Sequence, residues 1–303
     1  MERLEIRFLG DTRVAWVPGD NGAAPAGLRL GRQAEALLAF LLFHRESMHR
    51  REFLAELLWP DQDDTAARLS TALWRLKTAL ASPAGLPPLL GEANGGVGVS
   101  PSCPVWVDVV ALETAVRSVC ADPPEATPQE RAAGLEMALN LYRGELLPRC
   151  DAAWVLPERR RLEALFCAGL KWLLDHHRAA GRVEASIAAG ERLLTKDPLR
   201  EDVHCALMRL FSEAGHRVSA IRQYRWCREL LTNELGVEPM PQTEAAYREV
   251  LRGNPPDDDV ATARDATQTM ALIASLRANL EDVQRKLDAL QRMVSGGPGR
   301  PVR

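Results

Sequence analysis

Two glycines that lie 34 residues apart constrain the second half of the chain more than any other feature. Gly181 and Gly215 each follow one amphipathic helical pattern and precede another. A helix, a glycine and a second helix, repeated at this period, are typical of helical repeat arrays. In such arrays each helix pair buries its apolar face against the next pair, and the stack has a concave binding surface.

Helical patterns fill most of the chain between Val107 and Leu251. One of them opens with a capping box, in which Thr127 precedes Pro128 at the first helical position and Glu130 at the third. An aromatic content of only 5% and the many Ala, Leu and Arg residues also favour helices. The period and layout predict a domain similar to tetratricopeptide repeats (TPR-like), with Tyr224 at a helix-packing position.

The first hundred residues follow a different pattern. Apolar and charged residues alternate at 4–8, as in a strand with one buried face, and apolar runs at 12–17 and 28–30 predict two further strands. Three helical patterns follow, at 32–44, 50–59 and 67–80. A glycine-rich turn between two apolar pieces at 86–102 then predicts a β-hairpin. This order is that of a winged helix-turn-helix, so the expected fold is mainly α with a small β component.

The pattern changes again beyond Leu251. Residues 253–269 are rich in Pro, Asp and Thr, which is typical of a flexible linker. Apolar residues then step by three and four along a heptad seam: Ile273, Leu276, Leu280, Val283, Leu287, Leu290 and Val294. We expect a winged helix at 1–105, a TPR-like domain at 106–252, a coiled-coil helix at 270–295 and a disordered tail at 296–303. A homodimer contact would cover the seam; docking on the repeats or on another protein is the alternative.

Composition excludes several classes of protein. The net charge of −3 shows that the chain is no polycation, so nucleic-acid binding requires a local basic patch. Six scattered cysteines without a C-x-x-C pair argue against a disulfide framework or a zinc site. No apolar run reaches the roughly 18 residues of a membrane span. We therefore expect a cytoplasmic protein without cofactor, metal or membrane contact, and no catalytic constellation indicates an enzyme.

The third helical pattern carries the candidate site. Its leucines form one stripe that suits packing on the other two helices, whereas the other side carries Arg, Thr, Lys and Trp. A helix that is buried on one side and solvated on the other would also explain this pattern, but an outward Trp then leaves a large apolar ring in water unless a partner covers it. In a helix-turn-helix fold the recognition helix lies in the major groove, where cations contact phosphates or guanine and threonines contact thymine methyls. The candidate DNA-binding residues are Arg68, Ser70, Thr71, Trp74, Arg75, Lys77 and Thr78.

Two groups of sequence runs resemble a known family, the Streptomyces antibiotic regulatory protein (SARP) family. Its OmpR-type winged helix resembles the runs RQAEALLAFLLFH, RREFLAELLW and ARLSTALWRLKTAL. Its bacterial transcriptional activator domain resembles the runs LYRGELLP, WVLPERRRLEAL, DPLREDVHCALMRLFSEAG and QYRWCRELLTNELGVEP. The resemblance covers most of Leu4–Leu251. It implies a transcription regulator, usually an activator, that binds double-stranded DNA and contacts RNA polymerase, and it implies no catalytic residue.

The predicted winged helix carries less positive charge than DNA-binding winged helices usually do. Between Leu28 and Leu80, eight Lys and Arg stand beside seven Asp and Glu, and the expected wing carries Glu92 but no cation. With about three to five phosphate contacts, DNA binding is expected to be mildly salt dependent. An alternative therefore stays open: a TPR-type scaffold or signalling adaptor with a degenerate winged helix that does not bind DNA.

A second basic cluster, Arg159–Arg161, lies near the start of a long helical pattern. We expect its side chains to be solvated and paired with Glu158 and Glu163. A contact with the DNA backbone, or between domains, is the alternative for this cluster.

Overall fold

The computed structural model describes residues 2–17, 27–28, 30–60, 62–83, 85–121 and 127–252. The chain divides into two compact units, of which the first spans Met1–Val203 and the second begins at His204. The described residues are mainly helical, as predicted. The expected linker, coiled-coil helix and tail, at 253–303, lie outside the described residues.

A three-stranded sheet opens the first unit. Its strands are β1 (Arg3–Arg7), β2 (Arg13–Val17) and β6 (Val105–Val107), in the order β2-β1-β6. The alternation predicted at 4–8 is confirmed, since Leu4, Ile6 and Phe8 are fully buried. The third strand predicted at 28–30 is reduced to a single bridge between Leu28 and Val14, while residue 29 lies outside the described residues.

The strand β6 was not predicted, and it pairs in parallel with β1, with Leu4 opposite Val105. Three residues are too few to establish a period of two, and the partner strand lies about a hundred residues earlier in the chain. Local sequence patterns therefore carry no signal for this pairing.

Three helices and a second small sheet complete the winged helix. They are α1 (Arg32–Phe43), β3 (His49–Arg50), α2 (Arg51–Leu58), α3 (Thr65–Ala79), β4 (Leu90–Ala93) and β5 (Gly96–Val99). The predicted hairpin is confirmed: β4 and β5 are antiparallel and are joined by Asn94 and Gly95, whose φ angles are 52° and 74°. Two consecutive positive φ angles are what a tight two-residue hairpin turn requires.

Four helices form the rest of the first unit: α4 (Asp108–Ala121), α5 (Pro128–Leu139), α6 (Val155–Ala179) and α7 (Val183–Lys196). The predicted capping box begins α5, where the Thr127 hydroxyl accepts from the Glu130 N–H and the Glu130 carboxylate accepts from the Thr127 N–H. Gly181, with a φ of 67°, separates α6 from α7 as predicted, because this left-handed conformation suits a residue without Cβ.

A buried carboxylate connects the winged helix to α4. Asp108 is 1% exposed and accepts hydrogen bonds from the backbone N–H groups of Phe8, Leu9 and Val109 at 2.8–3.0 Å. Burial raises the pKa of the Asp108 carboxyl, and the three N–H groups oppose that rise because they bind its charged form. The end of β1 is thereby tied to the start of α4 within one core.

The second unit contains three helices and a π-helical turn in its described part. These are α8 (Glu201–Glu213), which begins just before His204, then α9 (Arg217–Leu230), the turn Leu231–Leu235 and α10 (Pro241–Arg252). The packing position predicted for Tyr224 is confirmed, since its ring is buried and stacks on Tyr247 with a centroid distance of 3.8 Å. Within the described ranges, none of the helices is both long and apolar enough to span a membrane.

Candidate nucleic-acid interface

Helix α3 has one buried face and one exposed face. Leu69, Leu73 and Leu76 are buried, and the helix packs against α1 and α2. The structure places all the candidate residues on the exposed side: Arg68, Ser70, Thr71, Trp74, Arg75, Lys77 and Thr78. Trp74 stands out among them, because 66% of this large apolar residue is exposed.

The hydroxyl groups of Ser70 and Thr71 on this face donate hydrogen bonds to carbonyl groups of α3 itself. The Ser70 hydroxyl donates to the Ala66 carbonyl at 2.8 Å, and the Thr71 hydroxyl donates to the Ala67 carbonyl at 2.9 Å. With its hydrogen used inside the helix, Thr71 presents a methyl group and an acceptor oxygen outward. Such a surface suits apolar contact with a thymine methyl better than donation to a phosphate.

One flank of α3 carries accessible arginines. Arg68 donates from Nε to the Asp63 carbonyl at 3.3 Å, which leaves its terminal nitrogens exposed. Arg75 makes no hydrogen bond or ion pair with the part of the chain that the structure describes. A cleft of about 460 Å³ lies between this flank and the start of α1, and Arg32 lines its other side. Three arginines therefore border a single cleft, and none of the described residues that line it is acidic.

The other flank of α3 is partly neutralised by the wing, the hairpin formed by β4 and β5. Lys77 forms an ion pair with Glu92 of β4 at 2.7 Å, and Arg51 of α2 approaches the same carboxylate at 3.5 Å. Arg51 also donates to the Ser70 hydroxyl at 3.1 Å. The hydrogen bond from Lys77 holds the pKa of the Glu92 carboxyl below its ordinary value, so Glu92 is ionised at neutral pH.

Sequence reasoning missed this network, although it named Lys77 and noted the acid in the wing. Glu92 lies 15 residues from Lys77 and 41 from Arg51, so no helical or strand spacing relates them. The signal that was available is the hairpin itself, since a wing that returns beside the recognition helix brings its polar residues to that flank.

The basic cluster at the start of α6 serves the protein's own structure. The expectation that these side chains are solvated is wrong for Arg159, which is mostly buried and donates to the carbonyls of Leu146, Leu147 and Cys150 at 2.6–3.0 Å. Arg161 pairs with Glu158 at 2.9 Å, as the sequence predicted, and also with a glutamate of α4. These two arginines organise the loop before α6 and its packing on α4. In the described residues, no three His, Cys, Asp or Glu side chains are grouped as a metal site requires.

Both halves of the chain are similar to known proteins. Residues 107–251 match the family described as the bacterial transcriptional activator domain. The chain is 27% identical over 291 residues to the regulatory protein AfsR of Streptomyces coelicolor. The matched region covers 92% of this chain and 27% of AfsR. It is also 28% identical to the transcriptional regulatory protein MoaR1 of Mycobacterium tuberculosis, over 74% of this chain and 73% of MoaR1.

Two further relatives extend the comparison. The transcriptional regulator RedD of Streptomyces coelicolor is 28% identical over 83% of this chain and 71% of its own length. The solved structure of Mycobacterium tuberculosis EmbR in complex with a low affinity phosphopeptide shares the fold, with a TM-score of 0.63 and 23% identity over 89% of this chain and 71% of that one. The chain thus spans about a quarter of AfsR and just over two thirds of the others. These matches confirm the resemblance drawn from the sequence.

Proposed function

From its kinship with the SARP-type transcriptional regulators, whose activator domain it carries at residues 107–251, we infer that this chain regulates transcription by binding double-stranded DNA. The observation that supports this function best is the exposure of α3. Its leucine stripe holds it to the protein while seven candidate contact residues face outward. The major groove of B-DNA is wide enough to admit an α-helix presented in this way.

The individual roles follow from the surroundings of each side chain. Arg68 and Arg75 neutralise phosphates or donate to guanine edges, because their guanidinium groups are accessible. Trp74 and Thr71 supply apolar contacts to thymine methyls, with Ser70 and Thr78 as smaller polar neighbours. Lys77 lies at the edge of this surface, and it contacts DNA only when it leaves Glu92.

Substitution of Arg75 by Ala tests this proposal. The operator is first recovered from genomic fragments bound by the tagged protein, and affinity for that duplex is then measured by fluorescence anisotropy at low salt. We expect Arg75→Ala to weaken binding by roughly 5- to 150-fold, which corresponds to about 1–3 kcal/mol for a lost base-pair contact. The matched control is Arg178→Ala, since Arg178 is exposed near the end of α6 and its loss changes the charge equally. Equal affinities of the two variants would remove Arg75 from the interface.

The proposal extends to partners and to location. We also propose RNA polymerase as its protein partner and the bacterial cytoplasm as its place of action, as the resemblance to the family implies. The heptad seam predicted at 270–295 supports a homodimer, which would place two winged helices on one DNA site. Sedimentation of the full chain, compared with a chain that ends at Arg252, measures whether the seam contributes to dimerisation.

A scaffold or signalling adaptor is the second candidate, and two observations favour it. The wing partly neutralises one flank of α3 through Glu92. A mostly apolar groove of about 720 Å³ lies between α4 and α5, where Met137 is 69% exposed, and this surface suits a protein partner. Titration of random duplex DNA at several salt concentrations separates the candidates, because a flat and salt-independent signal supports the adaptor.

A further inference from the structure

The acidic residue of the wing occupies a position where DNA-binding proteins usually offer cations. The Glu92 carboxylate lies 2.7 Å from Lys77 Nζ and 3.5 Å from Arg51 Nη1, so one acid engages the cations of two different helices. The Glu92 and Lys77 side chains are both more than 40% exposed. An approaching phosphate therefore meets the same groups that the carboxylate already holds.

A phosphate and a carboxylate compete for the same donors, since both are anions that accept charge-assisted hydrogen bonds. A DNA backbone on the wing side of α3 has either to displace Glu92 or to leave Lys77 and Arg51 unused. In both cases the complex with DNA releases fewer counterions than would be expected from the number of cations on the wing side of α3. On the opposite flank, the cleft bordered by Arg32, Arg68 and Arg75 is lined by no acid among the described residues, so no such competitor is found there.

We propose that Glu92 limits how strongly the interface engages the DNA backbone, by holding Lys77 and Arg51 in place of phosphates. The inference rests on the proposed DNA binding by α3. Its consequence is that sequence-independent attraction stays weak on the wing side, and binding depends on base contacts of α3 and on the arginines of the opposite flank. The network also fixes Ser70, a candidate contact residue, through its hydrogen bond from Arg51.

The test is the salt dependence of DNA binding by Glu92→Gln, measured on random duplex DNA and on the recovered operator. Each cation released to a phosphate steepens the slope of log K against log salt by about 0.9. Between 50 and 200 mM salt, the drop in affinity should therefore grow by about 3.5-fold for one released cation and about 12-fold for two. Glu184→Gln is the matched control, since Glu184 is an exposed acid on α7 and its loss changes the net charge equally.

A double-mutant cycle with Lys77→Gln identifies the cation involved. Lys77→Gln should leave the slope of the wild-type chain unchanged, because Lys77 is already occupied, and should lower the slope of Glu92→Gln by about 0.9. An equal loss of slope on Lys77→Gln in both backgrounds would overturn the proposal, because Lys77 would then contact phosphate whether or not Glu92 is present. Thermal unfolding of each variant checks that the wing stays folded, and the cycle with Lys77 remains informative if Glu92→Gln is less stable.

The outcomes separate this inference from the function on which it rests. If the wild-type chain binds no DNA at any salt concentration, the proposed function fails. If the chain binds DNA in an Arg75-dependent manner but Glu92→Gln and Glu184→Gln have the same slope, the function stands and the role of Glu92 is refuted.

Discussion

The exposure of Trp74 gives the sharpest prediction about the α3 surface. A tryptophan that is 66% exposed contributes little to the core of the free protein, so Trp74→Ala should leave the thermal stability nearly unchanged. If α3 lies in the major groove, however, the ring is covered in the complex. The substitution should then weaken DNA binding selectively.

The magnitude follows from the exposed area. A buried Trp side chain removes about 150–250 Å² from water, so an exposure of 66% leaves roughly 100–165 Å² for a partner to cover. Coverage of half that area, at about 25 cal/mol per Å², corresponds to about 1–2 kcal/mol, or roughly a 5- to 30-fold loss of affinity. Contact of the ring with thymine methyls would place much of this loss at specific base pairs.

The assay is fluorescence anisotropy with the recovered operator, alongside thermal unfolding of the free protein. Met137→Ala provides the control, because Met137 is 69% exposed on α5, away from the proposed interface. The reasoning is refuted if Trp74→Ala and Met137→Ala bind the operator equally well. A large loss of stability in Trp74→Ala would show instead that the ring supports the fold.

Two predictions concern the structure that carries the interface. Asp108→Ala removes the acceptor of three backbone N–H groups, so urea unfolding should show a loss of about 3 kcal/mol or more; a loss below about 1 kcal/mol would contradict the role of this carboxylate. Thr127→Ala removes the capping box of α5 and should cost about 1 kcal/mol by the same measurement. Thr114→Ala, at an exposed position inside α4, should stay within about 0.5 kcal/mol, and an effect equal to that of Thr127→Ala would argue against a capping contribution.

Features encoded by neighbouring residues were accessible from the sequence. The alternation at 4–8, the capping box at Thr127 and the glycine that ends α6 are each set by residues within a few positions, and each is found in the structure. The exposed face of α3 follows in the same way, because the leucine period of a helix determines which side is buried.

Features that depend on distant residues were not accessible. The strand β6 pairs with a segment about a hundred residues away, and its three residues show no pattern of their own. Glu92 was visible as the acid of the wing, but its two partners are defined only by the return of the hairpin beside α3 and α2. The sequence predicted which residues lie on the exposed face of α3, whereas the ion pairs that distribute charge over this face depend on the fold.

The pairing of β6 with β1 has a practical consequence for building hybrid regulators. The sheet of the winged helix is completed by residues that lead directly into α4, and Asp108 closes the same junction. Joining the winged helix to a foreign activator domain at residue 105 would divide that strand and discard the Asp108 carboxylate. A functional graft therefore has to carry the chain at least through the first turn of α4. By the same geometry, a displacement of α4 would act directly on the sheet of the winged helix, because β6 leads into α4 without a linker.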